Sequence, residues 1–202
     1  MDLLMASLLI IMLLPVFVIL VVVNYFVNRG SVWFVQRRIG LNEKEFTLYK
    51  FKTLLNKGTI KGAVMEDPLT HNPMIMTRWG RFMRAYSLDE IPQLINVVRN
   101  DLSFVGPRPL LPEYLGYYDQ RERKRHQVKP GITGLAQVKG RNMLDWPEKL
   151  AYDVRYVENI SFLLDMKILA DTMLQWFRPC KATLEISLID YIRQSKQNIK
   201  QF

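Results

Sequence analysis

From Leu3 to Asn28 the chain carries no charged residue, and most positions are Leu, Ile, Val, Met or Phe. As a helix, about 25 residues at roughly 1.5 Å each extend about 37 Å, enough to enter or cross a hydrocarbon core of about 30 Å. Membrane attachment is therefore the first constraint on the fold. A secretory signal is the competing reading, but only Met1-Asp2 precedes the run, without a basic region, and no small-residue cleavage site follows. Pro15 lies near the centre. It cannot donate to the carbonyl of Ile11 and crowds that turn, which predicts two halves of about 18 Å, each too short to span. A bent helix that enters and leaves by one face fits this division. A kinked spanning helix fits as well, because prolines are tolerated in membrane helices. Arg29, Arg37 and Arg38 follow directly, so either topology predicts a cytoplasmic location for the bulk of the chain.

About 175 residues remain, enough for one domain with its own core. The net charge of +9 and pI near 9.7 call for an anionic partner. Nucleic acid, acidic lipid head groups and nucleotide phosphates all qualify, and charge does not choose among them. Cys180 is the only cysteine, which excludes internal disulfides and a cysteine-rich metal site. With only His71 and His126, a zinc site has too few ligands; the metal expected is a hard one held by carboxylates and phosphates, such as Mg2+.

The pattern predicts an α+β chain, mostly helical. Two β-prone runs, Val32 to Gln36 and Glu45 to Phe51, flank Gly40-Leu41-Asn42 and predict a hairpin. After a break at Pro68 to Pro73, apolar residues from Met74 to Tyr86 recur at helical spacing, and Ile91 to Val98 predicts a second short helix. Glu113 to Val128 also reads as helical and includes the charged run Arg121 to Arg125, expected to be a solvated or membrane-facing surface. Lys129 to Asn142 is a loop whose Gly131, Gly134 and Gly140 permit close backbone approach to a ligand, although it is not a P-loop. Trp146 to Glu158 and Ser161 to Arg178 then read as amphipathic helices. The apolar side of the latter, including Phe162, Leu163, Met166 and Met173, fits either the membrane surface or the core, the core being slightly preferred.

The chemistry concentrates in Ser87-Leu88-Asp89-Glu90-Ile91-Pro92-Gln93-Leu94, an adjacent carboxylate pair, followed by Ser103-Phe104-Val105-Gly106-Pro107-Arg108-Pro109. One acid can attack or bind metal while a guanidinium neutralises an anion. The structural alternative is a capping box of Ser87 with Glu90. A helix capped by Asp89 suits Pro92 better, because Pro92 then needs no N–H partner; it would keep Asp89 ionised at a positive helix end.

In family order, Lys50-Phe51-Lys52-Thr53, the two motifs above, Lys129-Pro130-Gly131-Ile132-Thr133-Gly134 and Gln137-Val138-Lys139-Gly140-Arg141-Asn142 make residues 2 to about 178 resemble the monotopic phosphoglycosyl transferases. These are bacterial enzymes that start glycan assembly on a polyprenol carrier. The resemblance implies a re-entrant membrane helix (residues 1–29), a cytoplasmic catalytic domain (30–180) with amphipathic interfacial helices, and a tail of unassigned role (181–202). It implies transfer of a sugar-1-phosphate from a UDP-sugar to undecaprenyl phosphate at the inner membrane, releasing UMP. Asp89 would be the nucleophile of a covalent phosphosugar intermediate, with Glu90 as base or Mg2+ ligand beside it. Lys50, Arg84 and Arg108 would hold phosphate oxygens; Arg141 and Asp153 match polar positions of the site, and Gln137 and Asn142 are candidates for nucleotide contacts. Membrane lipids, further glycosyltransferases or a second copy of the chain are additional expected partners, and nucleic acid is not. Asp2 stands where relatives carry an aspartate before the membrane segment, whereas Leu14-Pro15 replaces their usual Ser-Pro. The alternative function class is a basic, membrane-tethered binding or scaffold protein for acidic lipids or a glycan-assembly complex.

Overall fold

One helix, α1 (Asp2–Val27), takes up the whole apolar segment in the computed structural model, which describes residues 2–56, 64–66, 73–140, 144–176, 188, 191 and 192. Pro15 lies inside the helix and does not end it. Most of its large side chains are exposed, Ile11 and Met12 by more than two thirds. Yet both ends pack on the rest of the chain. Near the start, Asp2 Oδ2 accepts a hydrogen bond from Ser103 Oγ (2.6 Å), and Ala6 is buried with Leu48, Val97 and Leu102. Near the end, Leu20 packs with Val32, Phe51 and Met83, and the buried Asn24 donates to the carbonyl of Val32 (2.8 Å).

The predicted hairpin is present as β1 (Trp33–Ile39) and β2 (Glu45–Phe51), antiparallel, with Val35 opposite Tyr49. Its turn places Asn42 and Glu43 in the left-handed region, at φ 53° and 60°. β3 (Leu54–Asn56), β4 (Val64–Glu66) and β5 (Pro73–Met76) form a second antiparallel sheet in the order β3-β5-β4. The helix expected from Met74 onward is thus corrected. Thr77 caps it, accepting from Gly80 N (2.9 Å), so α2 spans only Arg78–Ala85, and the residues before the cap are extended.

α3 (Gln93–Val98) is fixed to the outer edge of β2 by one side chain. Asn96 is fully buried; its amide donates to the carbonyl of Thr47 (2.7 Å) and accepts from the N–H of Tyr49 (3.2 Å), pairing strand groups that would otherwise be orphaned. After α3, β6 (Ser103–Val105) and β7 (Gly131–Thr133) form a parallel pair. Between them, the single helix expected over 113–128 is instead two 3₁₀ segments, Pro112–Tyr117 and Glu122–Gln127. The second starts where Asp119 and Glu122 exchange backbone-to-carboxylate hydrogen bonds, a local cap that interrupts the first.

The chain closes with α4 (Leu135–Lys139), α5 (Trp146–Glu158) and α6 (Phe162–Trp176). Asp145 and Glu148 make a capping box at the start of α5. α6 buries Ile168 and bonds Thr172 to Thr133, leaving Phe162, Leu163, Met173 and Leu174 exposed. The core reading of that apolar side is therefore corrected: most of it faces outward, because the narrower Leu164–Ile168–Thr172 face makes the docking contact. Leu188, from the tail, packs into the cluster of Leu110, Leu111, Tyr114 and Trp146.

Candidate active site

Asp89 and Glu90 lie in a 3₁₀ turn, Leu88–Glu90, between α2 and α3. Neither capping reading holds. Ser87 is left-handed (φ 55°) and its hydroxyl caps nothing, while the N-cap of α3 is Pro92, so Asp89 sits a turn before the helix. The reason is that the Glu90 side chain is drawn elsewhere. Its Oε1 accepts from Lys50 Nζ of β2 (2.6 Å) and from Arg108 Nη2 of the loop after β6 (3.3 Å).

Arg84, from the last turn of α2, reaches the same cluster. Its Nε donates to Thr53 Oγ1 (2.8 Å), which orients the guanidinium whose charge acts on Asp89 and Glu90. This requires α2 to lie against the β2–β3 connection. Gly80 permits it: a Cβ there would come 2.3 Å from the carbonyl oxygen of Thr53.

The electrostatics separate the two acids. Asp89 is buried, and that burial, reinforced by the adjacent Glu90 charge, raises its pKa above the usual aspartate value despite Lys50, Arg84 and Arg108. Burial pushes Glu90 up too, but Lys50 and Arg108 outweigh it and hold its carboxyl at about 2. Burial in turn lowers Lys50, an effect partly offset by Glu90. The expectation that a helix terminus keeps Asp89 ionised is thus replaced by a different cause of opposite sign. Three cations face Asp89 and Glu90, and Arg38 of β1 adds a fourth positive charge beside Arg108. The surplus suits a polyanionic ligand.

The other sequence candidates are placed differently. Asp153 is in the core: its Oδ2 accepts from Arg125 Nη2 (2.7 Å) and Nε (3.1 Å), and Arg125 also donates to the carbonyl of Arg108 (2.7 Å). Asp153 thus stands behind the site, not beside the acid pair. Arg125, expected on a solvated or membrane-facing surface, is 2 % exposed, because an ion pair and a carbonyl draw it inward. Gln137 donates to the carbonyl of Ile132 (2.9 Å) and so ties its own loop. Arg141 and Asn142 lie outside the described residues. The glycines of that loop also have a nearer purpose than a ligand. A Cβ at Gly131 or Gly134 would come 2.1 Å from the backbone of Gly106, so they admit β7 and its following turn against the Arg108 loop. Thr53, Arg38 and Arg125 were the residues that sequence reasoning passed over. Thr53 stood in a matched motif, and the other two appeared only as ordinary positive charges.

Among the described residues no three His, Cys, Asp or Glu side chains gather to hold a metal. Mg2+ commonly takes one or two carboxylates and completes its shell with phosphate oxygens and water. Asp89 and Glu90, adjacent in the Leu88–Glu90 turn, are the two carboxylates that could serve that mode, Glu90 Oε1 being engaged by Lys50 and Arg108.

The family model described as "Bacterial sugar transferase" matches residues 1–179. The chain belongs to the bacterial sugar transferase family. It is a phosphoglycosyl transferase. Among its relatives, a Bacillus subtilis protein named "Uncharacterized sugar transferase EpsL" is 49% identical over 144 residues, covering 71% of this chain and 69% of EpsL. The exopolysaccharide production protein ExoY of Rhizobium meliloti is 34% identical over 187 residues, 85% of this chain and 81% of ExoY. A Klebsiella pneumoniae protein named UDP-glucose:undecaprenyl-phosphate glucose-1-phosphate transferase is 35% identical over 189 residues, covering 87% of this chain but 39% of its own length.

Proposed function

We propose that this phosphoglycosyl transferase moves a sugar-1-phosphate from a UDP-sugar to undecaprenyl phosphate at the inner membrane, with Asp89 as nucleophile. The observation that carries the mechanism is the split between the two acids: Glu90 locked as an anion by Lys50 and Arg108, Asp89 buried against it under excess positive charge. A carboxylate oxygen of Asp89 attacks the sugar-linked phosphorus, the bond to the bridging oxygen breaks, and UMP departs with that oxygen. The acceptor's phosphate oxygen then attacks the acyl phosphate, restoring the Asp89 carboxylate and forming the polyprenol diphosphate sugar. A tethered intermediate lets a soluble donor leave before an apolar acceptor arrives.

Lys50, Arg84 and Arg108 bind the diphosphate oxygens, and Arg108 brings the paired donor geometry that lysine lacks. Glu90, at about 2, is a weak base at neutral pH, so its role here is to place Lys50 and Arg108 rather than to take a proton. Mg2+, held by Asp89 and Glu90 with substrate phosphates, would offset diphosphate charge.

The topology reading is a re-entrant α1 with the catalytic domain facing the cytoplasm. Its support is that Asp2 and Asn24 both bond to the same domain; a helix standing through the bilayer would carry one of these ends about 30 Å away. The exposed apolar side chains of α6 are proposed to rest in the head-group region.

Purified protein with undecaprenyl phosphate and a panel of UDP-sugars should release UMP, stop on chelation and resume with Mg2+. A donor carrying label in its β-phosphate should leave the label covalently on the protein when acceptor is omitted. Turnover without any labelled protein under rapid quench would argue for direct transfer. In intact cells, a cysteine at position 2 in a Cys180→Ser background should resist a membrane-impermeant thiol reagent and react once the cytoplasmic side is opened. Labelling from outside would overturn the re-entrant topology while leaving the chemistry intact.

A further inference from the structure

The loop that carries Arg108 has prolines on both sides, so Pro107 and Pro109 offer no N–H with which to tie it down. It is held by its acceptors instead. Four successive carbonyls are engaged: Pro107 by Gly131 N (3.0 Å), Arg108 by Arg125 Nη2 (2.7 Å), Pro109 by Arg38 Nη1 (3.3 Å) and Leu110 by Ile39 N (3.0 Å). The outer two bonds come from backbone and belong to the strands on either side. The inner two come from guanidinium groups on separate elements and hold the carbonyl of Arg108 itself and that of the next residue, Pro109; Arg108 is the residue of this loop whose side chain reaches Glu90.

We infer that Arg38 and Arg125 are positioning residues for Arg108, a pair of guanidinium latches that fix the backbone from which Arg108 reaches Glu90 and the donor diphosphate. The inference rests on the proposed function for the identity of that ligand. Each latch holds two acceptors in the fixed plane of a guanidinium, a geometry that the rotatable ammonium of lysine does not impose. Arg125 bridges Asp153 and the Arg108 carbonyl; Arg38 bridges Gln36 Oε1 (2.6 Å) and the Pro109 carbonyl. Arg38 holds this place although burial and the neighbouring Arg108 charge bring its pKa down to about 10. A guanidinium set beside another of like charge is costly unless its hydrogen bonds are needed there.

The test is a double-mutant cycle of Arg38→Met and Arg125→Lys against Arg108→Lys, read as kcat and KM for UMP release and as UDP affinity by calorimetry, with thermal unfolding as a check on the fold. If the latches act through Arg108, Arg38→Met lowers kcat/KM between about tenfold and a hundredfold when Arg108 is present, and less than about twofold once Arg108 is lysine. UDP affinity follows the same pattern. Equal losses in both backgrounds, or no loss from Arg38→Met alone, overturn the inference. Should Arg125→Lys fail to fold, Arg38→Met decides alone, because Arg38 lies part-exposed on the hairpin. UDP binding with the coupled pattern but no UMP release keeps the latch and removes the transferase mechanism. UMP release with an additive cycle does the reverse, and wild-type protein that binds no UDP overturns both.

Discussion

The buried Asp153 and the part-buried Glu90 both meet arginine, and the two regions are built differently. Around Asp153 the charges balance: one carboxylate and one guanidinium, with a further N–H of Arg125 Nη2 given to a carbonyl. Around Glu90 they do not. Lys50 and Arg108 converge on a single oxygen of one acid, Arg84 acts on its neighbour, and the region keeps more positive charge than its carboxylates neutralise. A closed pair suits a structural role, because an uncompensated buried charge costs several kcal/mol. An open surplus next to a buried acid is an arrangement that a phosphorylated ligand completes.

Exchanging the roles of the two acids is the strongest way to break this comparison. Asp89→Asn should lower turnover by at least about ten-thousandfold and abolish labelling from the donor, while the thermal midpoint stays near that of the wild type. Substantial turnover in Asp89→Asn would remove the nucleophile assignment. Asp153→Leu should do the converse: stability falls by about 3–5 kcal/mol because Arg125 is left buried and unpaired, read from denaturant unfolding. Replacing Arg125 and Asp153 together by apolar residues should recover much of that stability without recovering full activity, since the Arg108 carbonyl would still lack its donor. A wild-type unfolding midpoint in Asp153→Leu would show that the pair is not the structural one.

The smallest expected effect is on the pH profile. Asp89 is raised, so it becomes protonated as pH falls through a value above the ordinary 3.8, and the nucleophile is lost there; kcat/KM should show its acid limb above that value. Residual activity of Glu90→Gln should have its limb at lower pH than the wild type, because the like charge is gone while burial remains. An unmoved limb would assign it to another group or to the pair as a unit.

The acid pair, the arginine loop and the long apolar helix were legible because each is a local pattern whose residue types have few other uses: adjacent carboxylates, an arginine between prolines, a long uncharged run. The hairpin and α5 were legible through β-prone runs flanking a turn and through amphipathic spacing. What misled were segments whose local signals competed. Met74 to Tyr86 has helical spacing, but Thr77 cuts it, and the side before the cap pairs as a strand with Leu54–Asn56, about 20 residues away in sequence. The run Arg121 to Arg125 looked like a solvated surface. Only the fold shows that Arg125 points inward to Asp153, and no sequence pattern separates it from Arg121 or Arg123.

The sequence by itself determined the parts list: a long apolar helix, a small hairpin, short helices, and a set of adjacent acids and scattered cations. Tertiary structure alone decided their assignment. Which acid has its pKa held down and which has it raised depends on Lys50 and Arg108, 40 and 18 residues from Glu90, and Asp153 becomes a support once Arg125 folds between it and the Arg108 carbonyl. Hydrogen bonds and charge act over a few ångströms, whereas sequence patterns report neighbours along the chain, so roles set by long-range contact are written only in the folded molecule.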